Sequence, residues 1–159
     1  MVEKSCFGDL IYKLPRIHIS GHIIHNLLLR EGAASNSDSM TVVIGDNVNI
    51  FDAEQFYKIT GLKIGSTSFP ESKQDINTSS IVKEFFGGNY MIKRTELDEA
   101  YKGLNTTDDK LFLRLTLVYF LELGLMGKDE KTNVDTNILA LVDNLKKFNK
   151  FSWAHMCTR

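Results

Sequence analysis

Residues 111–126 read LFLRLTLVYFLELGLM, and this run decides the fold. Only Arg114, Thr116, Glu122 and Gly124 interrupt its apolar side chains. A helix that is apolar on almost every side must be covered on most of them, so the run predicts a central buried helix over about residues 109–126. It is not a membrane span, because it is slightly short and carries two charged residues inside it.

The chain has the composition of an ordinary globular domain, with 43% hydrophobic and 25% charged residues among 159. This length is enough to bury a core, and we expect one domain over residues 1–159. A formal net charge of -1 argues against a domain built around nucleic-acid phosphates, which need a concentrated basic face. We expect an intracellular protein, because Cys6 and Cys157 form no disulfide framework and the N-terminus has no secretory signal.

A β-hairpin followed by a helix is the best-marked local pattern. Two β-branched segments, residues 40–44 and 48–51, flank a three-residue turn containing glycine and predict a hairpin over about residues 40–51. Asp52 is the expected N-cap of the helix that follows, with a glutamine three residues later that completes a capping box. Gly61 supplies the left-handed residue that ends this helix after residue 60.

Other helices bring the expected total to about six around the central one. They begin near Ser20, Ser79, Thr95 and Asp135 and end near Arg30, Gly87, Gly103 and Asn149. The first of them has Ile23, Ile24, Leu27 and Leu28 on one face. The last carries a core-facing apolar stripe of Ile138, Leu141, Val142, Leu145 and Phe148. The sequence therefore predicts an α+β fold, predominantly α-helical, with one small hairpin.

The sharpest candidate for a metal site is a group of three histidines, His18, His22 and His25. Spacings of four and three residues bring imidazoles together, as zinc requires. The alternative interpretation places His18 before the helix and the other two on its polar side. Because no Asp, Glu or Cys nearby completes a ligand set, we expect no metal site.

Neither cysteine has the surroundings of a catalytic thiol, which needs a base in reach and a group that orients the base. Cys157 lies two positions from His155 near a chain end, where such geometry is not held. Neither a phosphate loop nor a dinucleotide fingerprint is present. We expect no catalytic residue, no cofactor and no enzymatic activity.

Arg114 and Glu122 in the central helix have two interpretations. They are either site residues with shifted pKa values, or boundary residues that extend outward or pair with neighbours such as Asp143. The second interpretation is favoured, because charged residues are rarely buried unless they are paired.

The C-terminal part interleaves basic and aromatic side chains, and it too has two interpretations. The residues are Lys146, Lys147, Lys150 and Arg159 with Phe148, Phe151 and Trp153. Such a mixture can stack bases along a basic groove. The near-neutral total charge favours the other interpretation, in which the aromatic rings belong to the core and the lysines to a solvated face.

Taken together, several blocks resemble one known family. They are Phe7-Gly8, the segment from Ser20-Gly21-His22 to Leu27-Leu28-Leu29-Arg30, Ile44-Gly45, Phe51-Asp52, Phe56, Thr60-Gly61-Leu62, Tyr119-Phe120-Leu121-Glu122, Leu141-Val142-Asp143-Asn144-Leu145, Phe148-Asn149 and Trp153. The pattern resembles a plant domain of unknown function found in transposon-encoded proteins, where it commonly precedes a SUMO-protease-like cysteine peptidase. It is similar, more distantly, to the plant mobile domain.

The resemblance implies a non-catalytic protein-interaction module of a transposon-derived plant protein, acting with nuclear protein partners and not at a membrane. It carries no catalytic motif, so no active residue can be transferred. Ala154 stands where family members usually have glycine, and the family domain tends to continue past Arg159, so we expect a domain cut short at its C-terminus. The alternatives are a nucleic-acid-binding accessory domain and a cryptic cysteine peptidase or metalloenzyme.

Overall fold

The computed structural model describes residues 2–13, 20–65, 79–127, 129 and 131–157 of the chain. The described part is mostly helical with one antiparallel hairpin, which confirms the predicted α+β class. Its α-helices are, in chain order, α1 (Gly8–Lys13), α2 (Gly21–Leu28), α3 (Ala53–Thr60), α4 (Ser80–Phe86), α5 (Arg94–Lys102), α6 (Asp109–Tyr119), α7 (Thr136–Leu141), α8 (Leu145–Lys150) and α9 (Trp153–Cys157). The expected number of about six helices is therefore too low.

The chain divides into two compact units. The helical unit contains Met1–Ser5 and Ser68–Lys150, and the hairpin unit contains Cys6–Thr67 and Phe151–Arg159. The single domain over residues 1–159 stays a prediction.

The helical unit is built around α6, as the apolar run predicts. Asp108 caps this helix, since its side chain accepts from the backbone N–H of Lys110 at 2.7 Å. A short 3-10 helix (Val2–Lys4), α4 and α5 pack against α6. The covering is not complete, because Phe112 is exposed on one side of the helix.

The end of the central helix changes its winding. Residues Phe120–Leu125 form a π-helical turn, in which the N–H of Met126 donates to the carbonyl of Leu121, five residues earlier, at 3.0 Å. Gly124 lies inside this turn and not at its end. Gly127, with φ of 54°, follows the last turn.

Two predicted helix boundaries need correction. The helix expected near Thr95 begins at Arg94, but its capping residue is Lys93, whose backbone N–H donates to the Glu96 carboxylate at 2.7 Å. The long helix expected from Asp135 to Asn149 is broken between α7 and α8. A new helix starts there because the Asn144 side chain accepts from the backbone N–H of Lys147 at 3.1 Å.

The predicted apolar stripe of the last helix remains on the buried side of both α7 and α8. Ile138, Leu141, Val142 and Phe148 are buried, and only Leu145 is partly exposed. The buried apolar residues of the helical unit are Val2, Ile81, Val82, Ile92, Leu97, Leu113, Leu115, Leu117, Val118, Leu121, Val134, Ile138, Leu139, Leu141, Val142 and Phe148.

The hairpin unit contains strands β1 (Ser39–Ile44) and β2 (Asn47–Asp52), paired antiparallel from Ser39 opposite Asp52 to Ile44 opposite Asn47. The turn has two residues and not the expected three, because Asn47 already pairs with Ile44. Gly45 begins it with φ of 60°, a conformation that suits glycine at the first position of a type II′ turn.

Helix α3 agrees with its prediction at both ends. Asp52 accepts from the backbone N–H of Gln55 at 2.9 Å, and Gly61, with φ of 73°, donates to the carbonyl of Tyr57 at 2.7 Å. The rings of Phe51 and Phe56 meet edge to face at 6.2 Å between centroids. These contacts fix the direction in which α3 leaves the hairpin.

The core of the hairpin unit joins its first helix to its last segment. Trp153 is buried, with its ring 5.8 Å from that of Phe7 and 4.5 Å from that of Phe151. Leu62 is also fully buried, and α9 packs against α3. Among the described residues, no helix is both long and apolar enough to cross a membrane.

Candidate interaction surface

Two of the three histidines of the candidate metal site lie among the described residues. His22 and His25 are both exposed on α2. His18 lies outside the described residues. No group of three or more His, Cys, Asp or Glu side chains is placed to hold a metal ion in the part of the chain that the structure describes.

Cys6 has the environment of an inert thiol. Burial raises the pKa of this thiol from its ordinary value of 9.0 to about 12, and hydrogen bonds with the backbone and with Trp153 offset only part of the effect. A thiol with this pKa carries almost no thiolate near neutral pH, and the thiolate is the nucleophile. Cys157 and His155 are both partly exposed on the short helix α9.

Arg114 lies in a polar cluster that serves packing. It donates to Ser80 Oγ at 2.8 Å and lies 3.3 Å from the Asp143 carboxylate, the partner that the sequence suggested. Asp143 in turn accepts from the backbone N–H of Ser80 at 3.1 Å and from its hydroxyl. The cluster therefore caps the start of α4, although helix and carboxylate are far apart in the sequence.

Glu122 is fully buried and does not extend outward as a boundary residue. It forms an ion pair with Arg94, whose side chain is also fully buried. The second Glu122 oxygen accepts from the backbone N–H of Asp135 at 3.2 Å, and Arg94 also donates to the carbonyl of Asp129 at 3.4 Å. The ion pair and its hydrogen bonds therefore connect α5, the π-helical turn and the segment before α7 inside the helical unit.

The aromatic residues near the C-terminus belong to the core. Phe148, Phe151 and Trp153 are buried, so their faces are not available to bases. Lys146, Lys147 and Lys150 are exposed on α8. This arrangement agrees with the favoured interpretation, a solvated face of lysines beside core aromatics.

The hairpin unit carries most of the exposed large apolar side chains. Among the described residues only Met91 and Phe112 of this group lie in the helical unit. The members in the hairpin unit are Tyr12, Ile23, Ile24, Leu28, Leu29, Val43, Ile44, Val48, Ile50, Phe51, Tyr57, Ile59 and Ile64. Exposed apolar residues that accumulate in one part of a domain are a candidate interaction surface.

The first part of this surface is the apolar side of α2. We use the name α2 ridge for Ile23, Ile24 and Leu28 together with Leu29, which follows the helix directly. All four side chains are exposed, with 63% exposure at Ile23 and 70% at Leu29. The apolar face of α2 is thus not buried as a covering helix requires. A cleft of about 350 Å³ between α2 and the hairpin turn is lined by Ile23, Leu27, Arg30 and Ile44, among others.

The second part is one face of the hairpin. Val43 and Val48 lie opposite each other in the register, and Ile50 follows two residues later on the same face. We call these three residues the hairpin patch. Val48 is 65% exposed and Ile50 57% exposed, although alternation along a strand normally places such residues toward a core.

The two edges of the hairpin differ. Along β1, the N–H of Val43 donates to the carbonyl of Arg30 at 2.9 Å, and the carbonyl of Thr41 accepts from the N–H of Gly32 at 2.7 Å. These outward-facing backbone groups of β1 therefore have hydrogen-bond partners. In the described part of the chain β2 pairs with β1 only. Hydrogen-bonded and non-hydrogen-bonded residue pairs alternate along an antiparallel hairpin. Counted from the Ile44–Asn47 pair next to the turn, the backbone groups of Val48 and Ile50 point away from β1.

A comparison with protein families matches residues 28–158 to the model of the domain of unknown function DUF1985. The chain belongs to the DUF1985 family. The DUF1985 match begins in the last turn of α2 and includes the hairpin, the central helix and the buried Trp153. No curated protein and no solved structure matches the chain.

Sequence reasoning missed two features of this DUF1985 domain. Arg94 was not singled out, because a buried glutamate demands a cation but the sequence offers 19 lysines and arginines as partners. The exposure of the hairpin patch was also not foreseen. The available signal was that residues 47–51 read NVNIF and lack any charged residue or proline, which is unusual for a strand at an edge.

Proposed function

We propose that the chain is a non-catalytic protein-interaction module that binds partner proteins through the hairpin unit. The observation that carries this proposal is the concentration of exposed apolar residues there, in the α2 ridge and the hairpin patch. Isolated exposed apolar residues are common on any surface, whereas a group on one helix and a neighbouring strand pair is typical of binding sites.

We also propose the biological setting that the family resemblance implies. In this setting the module belongs to a transposon-derived plant protein, associates with a SUMO-protease-like cysteine peptidase and acts in the nucleus. Support comes from the sequence blocks that resemble such proteins. The absence of an enzymatic role is part of the same proposal, and the inert environment of Cys6 supports it.

The test is affinity capture from plant nuclear extract with the purified chain as bait. The variant Ile23→Lys/Leu28→Lys places two charges on the α2 ridge, and Met91→Lys places one on an exposed apolar residue of the helical unit as a control. We expect a defined set of captured proteins that the ridge variant loses and the control keeps.

Two results would contradict the proposal. One is an unchanged set of captured proteins with the ridge variant. The other is turnover of a peptide or SUMO-type substrate by the purified chain that disappears on Cys6→Ala or Cys157→Ala. The capture and turnover assays use the same protein preparations. Circular dichroism of these preparations shows whether each variant is folded.

The exposed lysines of α8 favour a second candidate, a nucleic-acid-binding accessory domain. Binding through phosphates loses affinity steeply as salt rises, because bound counterions are released. Fluorescence anisotropy with labelled DNA and RNA over a salt series tests it. A salt-dependent affinity that Lys146→Gln/Lys147→Gln/Lys150→Gln abolishes supports this candidate, and no measurable affinity near physiological salt removes it.

A further inference from the structure

The outer edge of β2, which is unpaired among the described residues, has the hydrogen-bonding groups that an added strand requires. Val48 and Ile50 each direct one backbone N–H and one C=O away from β1. Paired strands form when such a row of groups meets an extended chain, which supplies the complementary donors and acceptors. This edge therefore selects for an extended partner and not for a helix.

Between the flanking aspartates Asp46 and Asp52, the edge lacks the features that normally block strand addition. Proteins protect exposed edges with lysine or other charges, with proline, or with a bulge. Residues 47–51 contain none of these residue types, and the register to β1 runs without a bulge from Ser39–Asp52 to Ile44–Asn47. An unprotected edge in a folded domain is typical of a strand that receives a partner.

The two faces beside the edge differ in composition. On one face the hairpin patch offers apolar contacts from Val43, Val48 and Ile50. On the other face exposed Asn47 and Asn49 offer amide groups, and exposed Ile44 and Phe51 lie at the two ends of that face. An added strand would therefore present apolar and polar residues in alternation, with its apolar side chains over the patch.

One end of the edge is acidic. A cleft of about 580 Å³ lies at the base of the hairpin, where β2 passes into α3, and its lining includes Asp38, Asp52 and Glu54 together with Ile64 and His155. Asp52 caps α3 and Glu54 pairs with Lys58, but the described lining of the cleft contains three carboxylates and no lysine or arginine, so its charge favours a cation. The charge of this cleft thus complements a lysine or arginine at the corresponding end of the added strand.

We propose that β2 receives an extended peptide segment of a partner protein, with alternating apolar residues and a lysine or arginine at the end next to Asp52. The segment forms a third strand through the backbone groups of Val48 and Ile50. This inference rests on the proposed interaction function and names the kind of partner that the hairpin binds.

A second copy of this chain is a poorer occupant of the edge. In a two-fold antiparallel pairing that places Val48 opposite the partner's Ile50, Asp46 of each copy lies opposite Asp52 of the other. Like charges placed opposite each other destabilise a strand pair. A lysine or arginine at the end of the added strand replaces this repulsion with attraction to Asp52.

Selection of short random peptides displayed on phage tests the proposal on the native chain. We expect enriched sequences with β-branched or other apolar residues at every second position and a lysine or arginine at one end. An empty selection, or enriched sequences that lack the alternation, would overturn the proposal.

Backbone methylation of a selected peptide then identifies strand pairing. Alternate amides of an added strand point toward β2, and methylation of one of them removes a hydrogen bond that methylation of its neighbours leaves intact. We expect roughly tenfold weaker binding for one alternate set only, measured by fluorescence anisotropy. Equal effects of methylation along the whole peptide contradict a strand pairing.

Charge introduced at the edge provides the matching test in the protein. Ile50→Lys should abolish peptide binding, whereas Ile59→Lys on α3, at a residue of the same type and with 65% exposure, should not. The methylation series needs no variant and decides the question if Ile50→Lys does not fold. A wild-type dimer that Ile50→Lys converts to a monomer would assign the edge to a second copy and overturn the proposed occupant.

The capture experiment of the proposed function separates the two proposals. If nuclear proteins still bind the Ile50→Lys variant but not the variant of the α2 ridge, the interaction function stands and the edge proposal fails. If the ridge variant captures the same proteins as the wild type while the selected peptides bind as expected, the edge proposal stands without the α2 ridge.

Discussion

Arg94 and Glu122 meet inside the helical unit with both side chains fully buried. Removal of two charges from water costs several kcal/mol per ion, and their attraction offsets this cost only when further hydrogen bonds are present. Glu122 has such a bond from the backbone of Asp135. The Nε atom of Arg94 has no hydrogen-bond partner among the described residues, so the pair is better suited to fixing one arrangement than to adding stability.

Glu122→Gln should destabilise the chain by about 3 to 5 kcal/mol, because it leaves the Arg94 charge buried without its counter-ion. Urea unfolding followed by circular dichroism measures the change. Glu54→Gln provides the control, since Glu54 pairs with Lys58 on the surface and such pairs contribute roughly 0 to 1 kcal/mol. The double variant Arg94→Met/Glu122→Met should be more stable than Glu122→Gln, and equal losses from Glu54→Gln and Glu122→Gln would contradict the argument.

Cys6 should react slowly with alkylating reagents. A rise in pKa from 9.0 to about 12 leaves roughly a thousandfold less thiolate than an unfolded thiol has at about pH 8. Iodoacetamide labelling of Cys157→Ala, followed by mass spectrometry in the presence and absence of urea, measures the ratio. Labelling of the folded protein at the unfolded rate would show that the thiol is not desolvated.

The same shift predicts a loss of stability in alkali. Because the folded pKa of Cys6 is above the unfolded value, the folded state keeps the proton longer. The contribution is complete below about pH 9 and is lost as the pH rises toward about 12. Urea unfolding midpoints should therefore fall less steeply over this range in Cys6→Ala than in the wild type.

At the scale of the element, α3 is fixed by its ends more than by its burial. Ala53 is its buried residue, while Tyr57 and Ile59 are exposed. Asp52 at its start and Gly61 at its end satisfy backbone groups that the helix itself cannot. Its stability should accordingly depend on those two residues.

Gly61→Ala should cost about 1 kcal/mol, because residue 61 has φ of 73° and a Cβ atom is unfavourable in that conformation. Gly21→Ala is the matched control. Neither position has an atom within 4 Å of an added Cβ, but Gly21 has no positive φ and begins a helix. Urea unfolding should show a loss for the first and no loss for the second, and equal effects would exclude a conformational cause.

The sequence predicted elements whose determinants are local. The hairpin and both ends of α3 depend on Gly45, Asp52 and Gly61, each of which acts on residues within a few positions. The start of α8 is also local, because Asn144 acts on Lys147 three residues later, whereas the partner of Glu122 is a residue that it meets only in the folded chain. Asp143, for example, binds Ser80, 63 positions away, and no spacing rule connects them.

The sequence alone does not identify the candidate surface. An apolar stripe such as that of α2 predicts a face without saying whether another part of the chain covers it. The stripe of α7 and α8 is buried, and the comparable stripe of α2 is exposed. Periodicity is the same in both cases, and only the tertiary structure distinguishes a core face from a binding face.

At the scale of the whole molecule, exposed apolar surface is unevenly distributed between the two units. Ile23→Lys and Leu29→Lys should therefore leave the free energy of unfolding within about 0.5 kcal/mol of the wild type, since these side chains are already in water. The same changes should reduce association of the chain at high concentration. Thermal unfolding and static light scattering measure both effects.

Ile138→Lys is the contrasting variant for this experiment. Ile138 is fully buried in the helical unit, and burial of an unpaired charge there should prevent folding. If Ile23→Lys destabilises the chain as strongly as Ile138→Lys, the α2 ridge is packed in solution and is not a binding surface.

The π-helical turn at Phe120–Leu125 has a consequence for comparisons between family members. Such a turn holds one more residue than an α-helical turn, so a chain shorter by one position can keep the same flanking helix and loop. Alignments of DUF1985 sequences should thus require a single-residue gap in the middle of the apolar run and not in a surface loop. Members without the extra residue should also lack the acidic residue at position 122, because a regular helix directs that side chain elsewhere.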